Sequence, residues 1–424
     1  MGLIQYCLLF LVVFYHGAYG LRSSGIISRG RGLLASAPGA APEAAPGPAL
    51  ATPATMVAGG LCESIITKVG YKCQEYTVKT KDGYVLTLQR VNSPEGDVKT
   101  KQPAFLQHGL FMDGASWFLN TPEQSLGYIL ADSGYDVWVA NTRGTRYSRG
   151  HESLDASSPT FWDWSWDEMV QYDLPAFLGF VNKQTGKKIN YIGHSLGTLM
   201  ALTSFSLGPN SPCQVLDKLR AVALLSPVAY LNHMGSQMSV YASKTFMGEW
   251  GSSFIAEFNV KDERVVNYIA SLCSAPGMNC FDMTSSFTGV NCCLNATIFD
   301  LFIRKEPQST SMKNCLHLAQ TVRQGSVTKY DYVTANVQKY GQPTPPPYPL
   351  SNIPKDLPIF MTYGANDFLA DPADVQQLVD EMKHDEDKLE VQKVDTYGHL
   401  DFILATNAND VVFKQMLAFI KRQP

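Results

Sequence analysis

The stretch INYIGHSLGTLMALTSF, residues 189–205, constrains the fold more than any other part of the chain. An apolar run typical of a strand leads into two glycines that flank Ser195, and a run typical of a helix follows. A serine on a sharp strand-to-helix turn is a nucleophile elbow, in which glycines remove the side chains that would clash. The pattern G-x-S-x-G also arises by chance, so its weight comes from this strand–turn–helix context. The alternative interpretation is a structural turn without chemistry.

The alternation of strand-like and helix-like segments extends along most of the chain. Runs typical of strands begin at Cys73 (CQEYTVKT) and Tyr84 (YVLTLQRV), and Lys-Asp-Gly between them indicates a hairpin. Further strands and helices alternate from PAFLQHGL at Pro103 to the terminal helix DVVFKQMLAFI. This order predicts an α/β fold, with a mostly parallel sheet flanked by helices and an antiparallel hairpin at its start. Pro175 should kink the helix predicted for WDEMVQYDLPAFLGFVNKQTG.

Residues 231–355 interrupt this alternation. They are mostly helix-like, contain five cysteines and end in the proline-rich stretch YGQPTPPPYPL. An insertion of this length between two strands is too long for a loop. We expect a mainly helical cap over the carboxyl ends of the strands, where open α/β sheets place their sites. The predicted α/β core is therefore divided into residues 61–230 and 356–424.

The N-terminus has the features of an export signal. Residues 3–15 are mostly apolar but too few to span roughly 30 Å of hydrocarbon, and small residues follow at Ala18 and Gly20. No basic residue precedes the apolar run, so an uncleaved anchor is the alternative to a signal peptide over residues 1–20. Residues 21–60 are rich in Ala, Pro, Ser and Gly and predict a disordered leader, with an organelle transit peptide as the minor alternative. We expect the secretory pathway, ending outside the cell or in a lysosome or vacuole, and no transmembrane helix after cleavage.

The cysteines fit an oxidising compartment, because eight of the nine remain after removal of the signal. We expect Cys62 and Cys73 to staple the start of the fold and the cluster from Cys273 to Cys293 to staple the insertion, with the pairing left open. The chain has no CxxC, and its histidines lie far from its cysteines, which argues against zinc. Asn295 is the sole N-x-S/T acceptor for glycosylation. A formal charge of −4 indicates neither nucleic-acid binding nor a basic membrane-binding surface.

A serine nucleophile needs a base, and the base needs an acid to orient it. Among eight histidines, His399 follows the last predicted strand and precedes the last helix, in VDTYGHLDF. That loop opens at the same edge of a wound sheet as the elbow, so we expect His399 to be the base. The alternative is a loop histidine bonded to backbone. His194, beside the serine, is expected to point elsewhere.

Three aspartates that could orient the base follow the strand that ends at Gly364, namely Asp367, Asp371 and Asp374. Asp367 lies in the loop at the carboxyl edge, whereas the other two flank Pro372 in the pattern of a helix cap. We expect Asp367 to fill this role, with Asp371 as the fallback. The resulting order of the three residues along the chain is Ser195, Asp367, His399. This is the order found in α/β-hydrolases, and it differs from the orders found in chymotrypsin and subtilisin.

Acyl transfer also requires N–H donors for the oxyanion of the tetrahedral intermediate. One donor should be the backbone N–H of Leu196, directly after the serine. The other should come from QHGLFMDGASW after the third strand, where Gly109 permits close approach and the N–H of Leu110 is the candidate. His108 can brace this loop by hydrogen bonding. The interpretation that we favour is a structural histidine whose hydrogen bonds are satisfied.

Taken together, these motifs resemble the acid lipases, which include animal gastric and lysosomal lipases and plant triacylglycerol lipases. The resemblance spans residues 61–421 and rests on seven motifs, TKDGYVLTLQR, LQHGLFMDGASW, VWVANTRGTRYSRGH, YIGHSLGT, YGQPTPPPYPLSNIP, NDFLADPADV and GHLDF. Leu196 stands where animal members commonly have Gln, so that GHSLG is similar to the plant branch. Val333 replaces a small residue of the animal pattern, and the leader has no counterpart.

The resemblance implies a triad of Ser195, Asp367 and His399 and an oxyanion hole formed by the N–H groups of Leu110 and Leu196. It implies hydrolysis of triacylglycerols or sterol esters at a lipid–water interface, beneath a lid. The mechanism requires no metal or cofactor. The alternatives are an acyltransferase or a carboxylesterase with the same triad, or an inactive hydrolase fold used for binding. The oligomeric state stays open.

Overall fold

The computed structural model describes residues 59–95, 101–209, 211–213, 215–244, 246, 252, 255–259 and 280–424. The predicted signal peptide, nearly all of the predicted leader, and Cys273 lie outside these residues. Among the described helices, none is long and apolar enough to cross a bilayer.

One large sheet organises the described chain. Its strands are β1 Lys72–Lys79, β2 Tyr84–Asn92, β3 Gln102–Gln107, β4 Tyr135–Asn141, β5 Gly150–His151, β6 Ile189–His194, β7 Leu219–Leu225, β10 Ile359–Gly364 and β11 Leu389–Val394, whereas β8 Glu257–Phe258 and β9 Thr310–Ser311 pair separately. The spatial order is β1-β2-β4-β3-β6-β7-β10-β11, with β5 beside β2. The pairs β1–β2 and β2–β4 are antiparallel, and every pair from β4 to β11 is parallel. The predicted mostly parallel sheet with an antiparallel hairpin is confirmed.

The α-helices connect these strands. They are α1 Leu126–Asp132, α2 Trp166–Glu168, α3 Leu174–Thr185, α4 Leu196–Ser206, α5 Gln237–Lys244, α6 Cys280–Thr288, α7 Ala296–Lys305, α8 Met312–Gln324, α9 Asn336–Tyr340, α10 Pro372–Met382, α11 Asp401–Leu404 and α12 Lys414–Arg422. Because α5 to α9 fall between β7 and β10, the described part of the interval predicted as a cap is mainly helical. The β8–β9 pair within it was not anticipated. The boundaries at residues 231 and 355 stay a prediction.

Both faces of the sheet are covered by buried apolar side chains. Neighbouring residues in a strand point to opposite faces. Accordingly, Phe105 and Tyr191 belong to a cluster that includes side chains of α3 and α4. Leu106 and Ile192 belong to a second cluster that includes side chains of α1 and α12. This two-sided burial explains why the central strands are apolar almost throughout rather than alternating.

The helix predicted around Pro175 continues past the proline by a local adjustment. A π-helical turn, Met169–Asp173, separates α2 from α3, and Pro175 is at the start of α3. Proline lacks the N–H that an α-helix interior requires, and a π turn accommodates the interruption. The irregularity therefore lies in the turn before the proline, and the predicted kink itself stays a prediction. His151, which follows β4 along the chain, pairs with Tyr84 in the short strand β5.

The cysteines behave differently in the two parts of the chain. Cys62 and Cys73 form a disulfide at the start of the fold, as expected. In the insertion, Cys292 and Cys293 are bonded to each other. Cys213 and Cys315 are free, and burial raises the pKa of the Cys315 thiol to about 12, so this thiol is inert at neutral pH.

Candidate active site

Ser195 lies at the sharp turn between β6 and α4. Its backbone has φ 54° and ψ −118°, in a region that costs an L-residue roughly 1–2 kcal/mol. A Cβ on Gly193 would lie 3.0 Å from the carbonyl oxygen of Gly197, and one on Gly197 would lie 2.5 Å from that of Gln107. Glycine is therefore required on both sides of the serine, and the strained strand–turn–helix geometry is that of a nucleophile elbow.

The structure brings His399 and Asp367 together. Nδ1 of His399 lies 2.9 Å from Oδ2 and 3.0 Å from Oδ1 of Asp367, and both side chains are buried. These residues follow β11 and β10, neighbouring parallel strands whose carboxyl ends lie at one edge of the sheet. The carboxylate can hold the imidazole in the tautomer with a proton on Nδ1, which leaves Nε2 as an acceptor.

Asp367 is itself held by several donors. The hydroxyl of Ser226 donates to Oδ2 at 2.6 Å, and the backbone N–H groups of Leu369 and Ala370 donate to Oδ1 at 2.9 and 2.8 Å. Burial alone raises the pKa of Asp367, but the His399 imidazole and the Ser226 hydroxyl hold that pKa below its usual value. Asp367 is thus a fixed anion behind His399. Sequence reasoning missed Ser226, which directly follows β7.

The ring of His399 lies beside the elbow. His194, which precedes Ser195, has its ring centroid 4.9 Å from that of His399, and its Nε2 lies 3.1 Å from the His399 carbonyl oxygen. Nε2 of His399 is buried and has no hydrogen-bond partner among the described residues, Ser195 Oγ included. Such contacts often tighten only when substrate binds, so an unpartnered Nε2 on a ring that packs against the residue before Ser195 suits a general base.

The side chain of His194 belongs to the site, contrary to the expectation that it points elsewhere. Burial and the neighbouring His399 lower the pKa of His194 to about 3. The neutral ring therefore donates from Nε2 to the His399 carbonyl. This bond ties the end of β6 to the loop that carries His399.

The two residues that carry the predicted oxyanion donors lie close together. Leu110 and Leu196 line the same small cavity of about 10 Å³. Gly109 approaches the elbow so closely that a Cβ there would lie 2.9 Å from Cβ of Ser195. Leu196 begins α4, where the backbone N–H groups have no partner within the helix and carry the positive end of its dipole.

His108 braces the loop of Leu110. Its Nδ1 lies 2.8 Å from the carbonyl oxygen of Gly109, and its Nε2 accepts the N–H of Thr142 at 3.1 Å. Burial lowers the pKa of His108, so the ring is neutral, with Nδ1 as the donor. Both nitrogens are satisfied, which is the structural arrangement expected for this histidine.

The insertion supplies further support for the same loop. Phe111 has φ 59°, and its carbonyl accepts the N–H of Gln308 at 2.7 Å. The buried carboxylate of Glu306 accepts the N–H of Asp113 at 3.1 Å, and Arg146 lies 2.7 Å from the Asp113 carboxylate. Sequence reasoning did not find these contacts, and those made by Glu306 and Gln308 join residues nearly 200 positions apart.

The other candidate residues lie in different settings. Asp371 caps α10 by accepting a hydrogen bond from the N–H of Ala373 at 2.8 Å. The carboxylate of Asp374 accepts a hydrogen bond from Nδ1 of His233 at 2.8 Å. Of the three candidate aspartates, Asp367 is therefore the one that contacts His399. Asn295 is exposed and caps α7 through its side-chain oxygen. The described residues contain no cluster of His, Cys, Asp and Glu that could hold a metal.

Comparisons with known proteins assign the chain to a family. Residues 105–406 match the model of the alpha/beta hydrolase fold, and residues 62–121 match that of the partial alpha/beta-hydrolase lipase region. Triacylglycerol lipase 2 of Arabidopsis thaliana is 48% identical over 88% of this chain and 90% of its own length. The chain belongs to the acid lipase family of α/β-hydrolases. Triacylglycerol lipase 1 of Arabidopsis thaliana is 39% identical over 85% of this chain and 90% of its own length. Gastric triacylglycerol lipase of Rattus norvegicus is 34% identical over 84% of this chain and 90% of its own length.

Proposed function

We propose that this lipase cleaves fatty-acyl esters with Ser195 as nucleophile, His399 as general base and Asp367 as the acid that orients it. The observation that carries the proposal is the environment of the His399 imidazole. Its Nδ1 is bound to the buried carboxylate of Asp367, and its Nε2, near the strained turn at Ser195, has no hydrogen-bond partner among the described residues. A structural serine at a turn does not require this arrangement of two further buried side chains.

The reaction follows from these positions. Nε2 of His399 takes the proton of Ser195 as Oγ attacks the ester carbonyl. The protonated imidazole, stabilised by the carboxylate of Asp367, then gives its proton to the departing alcohol oxygen. Water, deprotonated by the same nitrogen, attacks the acyl-enzyme and releases the carboxylic acid and free Ser195.

The oxyanion formed in each step would lie against the N–H groups of Leu110 and Leu196. Each such donor contributes on the order of 3 kcal/mol to stabilising the transition state. The support for this pair is the cavity that both residues line and the close approach of Gly109 to Ser195. The bracing of the loop by His108 would keep the first donor in place.

Triacylglycerol is the substrate that we propose first, because relatives over nearly the whole chain carry that name. The substrate would be taken from a lipid–water interface. We further propose entry into the secretory pathway and delivery outside the cell or to a lysosome or vacuole, on the basis of the N-terminal sequence.

Hydrolysis of emulsified trioleoylglycerol and of soluble p-nitrophenyl acetate, from pH 4 to pH 8, tests the proposal. Ser195→Ala should reduce both rates by roughly 10³-fold or more. The matched control Ser206→Ala, in the same helix, should keep the wild-type rates. Equal rates for Ser195→Ala and wild type would refute the nucleophile, and activity on the soluble ester alone would refute the triacylglycerol substrate.

A further inference from the structure

Residues 288–294 of the insertion pack directly on the loops that carry Asp367 and His399. The N–H of His399 donates to the carbonyl of Thr288 at 3.0 Å, and the N–H of Leu400 donates to Oδ1 of Asn291 at 2.9 Å. Gly289 forms a β-bridge with Asp367. The insertion therefore contacts both residues that prepare the serine, independently of any lid.

One carboxylate joins this segment to the loop of His399. Asp401 is fully buried, two residues after the histidine. Its Oδ2 accepts the N–H of Gly398 at 2.8 Å and the N–H of Cys292 at 3.0 Å, and its Oδ1 accepts the N–H of Cys293 at 3.2 Å. The Cys292–Cys293 disulfide links the two donors on the insertion.

Asp401 is also a buried carboxylate without a cation. Within the described part of the chain, no Lys, Arg or His forms a salt bridge with it. Burying an anion is costly, and three backbone donors are its compensation. These three bonds join the backbone of two segments that are distant along the chain.

We propose that Asp401 is a positioning residue for the reaction at Ser195, and that its ionised carboxylate holds residues 288–294 against the loop of His399. This inference rests on the proposed function, in which His399 is the general base. Through Gly398 the carboxylate fixes the backbone immediately before the imidazole, and through Cys292 and Cys293 it anchors that backbone to the insertion. We call the three hydrogen bonds of the Asp401 carboxylate the clamp. Loss of the clamp would let the imidazole ring of His399 move relative to Ser195.

Ionisation matters because a carboxylate can accept all three bonds, whereas a protonated carboxyl turns one oxygen into a donor. Burial raises the pKa of Asp401 to about 6, the three backbone N–H groups oppose this rise, and the nearby Asp367 adds to it. The titratable groups that interact with Asp401 are Asp367 and Tyr397. Residues 288–294 carry no titratable group besides the bonded cysteines, and the adjacent turn Gly114–Phe118 carries none.

Kinetics of Asp401→Asn on soluble p-nitrophenyl acetate test the role. At pH 8 we expect kcat to fall about tenfold with KM within twofold of wild type, because misplacement of a reacting group chiefly affects kcat. The deficit should shrink towards pH 5, with a midpoint near pH 6, because wild type then carries a neutral carboxyl as well.

Two control variants separate this role from a general structural effect. Asn291→Ala removes a neighbouring contact of the same segment that does not titrate, so its deficit should not vary with pH. Asp410→Asn makes the same chemical change at an exposed pair with Lys414 and should match wild type. An Asp401→Asn deficit of equal size at pH 5 and pH 8, or no deficit at pH 8, would overturn the proposal.

NMR provides a readout that needs neither turnover nor a folded variant. In wild type, the amide protons of Gly398, Cys292 and Cys293 should shift together with a midpoint near pH 6. Amide shifts that stay constant from pH 5 to pH 7 would overturn the role of Asp401 even if the enzyme is active. Conversely, a protein that cleaves no ester yet shows this titration would refute the proposed function and leave the clamp in place.

Discussion

Three of the six described non-glycine residues with a left-handed backbone lie at the proposed site. Ser195 forms the elbow, Phe111 lies in the loop of the proposed oxyanion donor, and Ser226 donates to Asp367, all with φ between 51° and 59°. Strain of this kind persists where the surrounding structure holds a functional geometry in place. Val333 has a similar φ of 53°, but its side chain is 72% exposed and far from these contacts along the chain.

Val333→Gly should stabilise the protein. Glycine removes roughly 1–2 kcal/mol of left-handed strain, loses almost no buried surface, and adds some entropy to the unfolded chain, so we expect a gain of about 0.5–1 kcal/mol. Urea unfolding measures this gain as a shift of the unfolding midpoint with an unchanged m-value. The control Val337→Gly, at an exposed position in α9, should instead cost about 0.3–0.5 kcal/mol, the difference in helix propensity between valine and glycine. Equal destabilisation by both variants would contradict the strain at residue 333.

Elements are joined at the site by side chains that reach across the sheet edge. Arg143 follows β4, is buried, and donates through Nε to Asp173 of the π turn at 2.8 Å and through Nη1 to Asp82 of the β1–β2 turn at 2.7 Å. Its guanidinium also stacks 3.9 Å from the ring of Tyr84. One cation thus fixes a strand end, a hairpin turn and the irregular helix that precedes Pro175.

Asp173→Asn should destabilise the fold by about 3 kcal/mol, because it leaves a buried guanidinium short of its charged partner. Thermal and urea unfolding measure the loss. For comparison, Lys79→Ala breaks an exposed pair with Glu152 and should cost under about 0.5 kcal/mol. A loss for Asp173→Asn as small as that of the exposed pair would show that this network adds nothing to stability.

At this scale, the limits of sequence reasoning have a physical cause. Strand and helix types follow from local periodicity and turn residues, which is why the hairpin, the elbow and the loops of Asp367 and His399 could be predicted. The contacts of Ser226, His194 and Asp401 depend on how distant segments pack, and no local pattern encodes a bond between Asp401 and a residue 109 positions away. The β8–β9 pair has only two residues in each strand, too few for an alternation to be visible.

Over the whole molecule, stability and function make opposing demands on Asp401. Its folded pKa of about 6 lies above the usual value for an aspartate, so the folded state binds a proton more tightly than the unfolded state does. The stability from this proton is fully present below about pH 4 and is lost as the pH rises through 6. The clamp that we propose therefore operates in the pH range where its charge destabilises the fold.

The stability difference between wild type and Asp401→Asn should accordingly depend on pH. Between pH 4 and pH 7 it should move against wild type by about 2 kcal/mol, since one pKa unit corresponds to roughly 1.4 kcal/mol. Urea unfolding of both proteins at each pH isolates this effect from all other titrating groups. A difference that stays constant would show that Asp401 has an ordinary pKa.

The central claim is that Ser195 is a nucleophile activated by His399 and Asp367. Reaction with a fluorophosphonate, followed by peptide mass spectrometry, tests it most directly. We predict one adduct per chain, on Ser195, formed far more slowly in His399→Ala and Asp367→Asn variants that stay folded. An adduct on another residue, or labelling of Ser195 at an unchanged rate in both variants, would contradict the account.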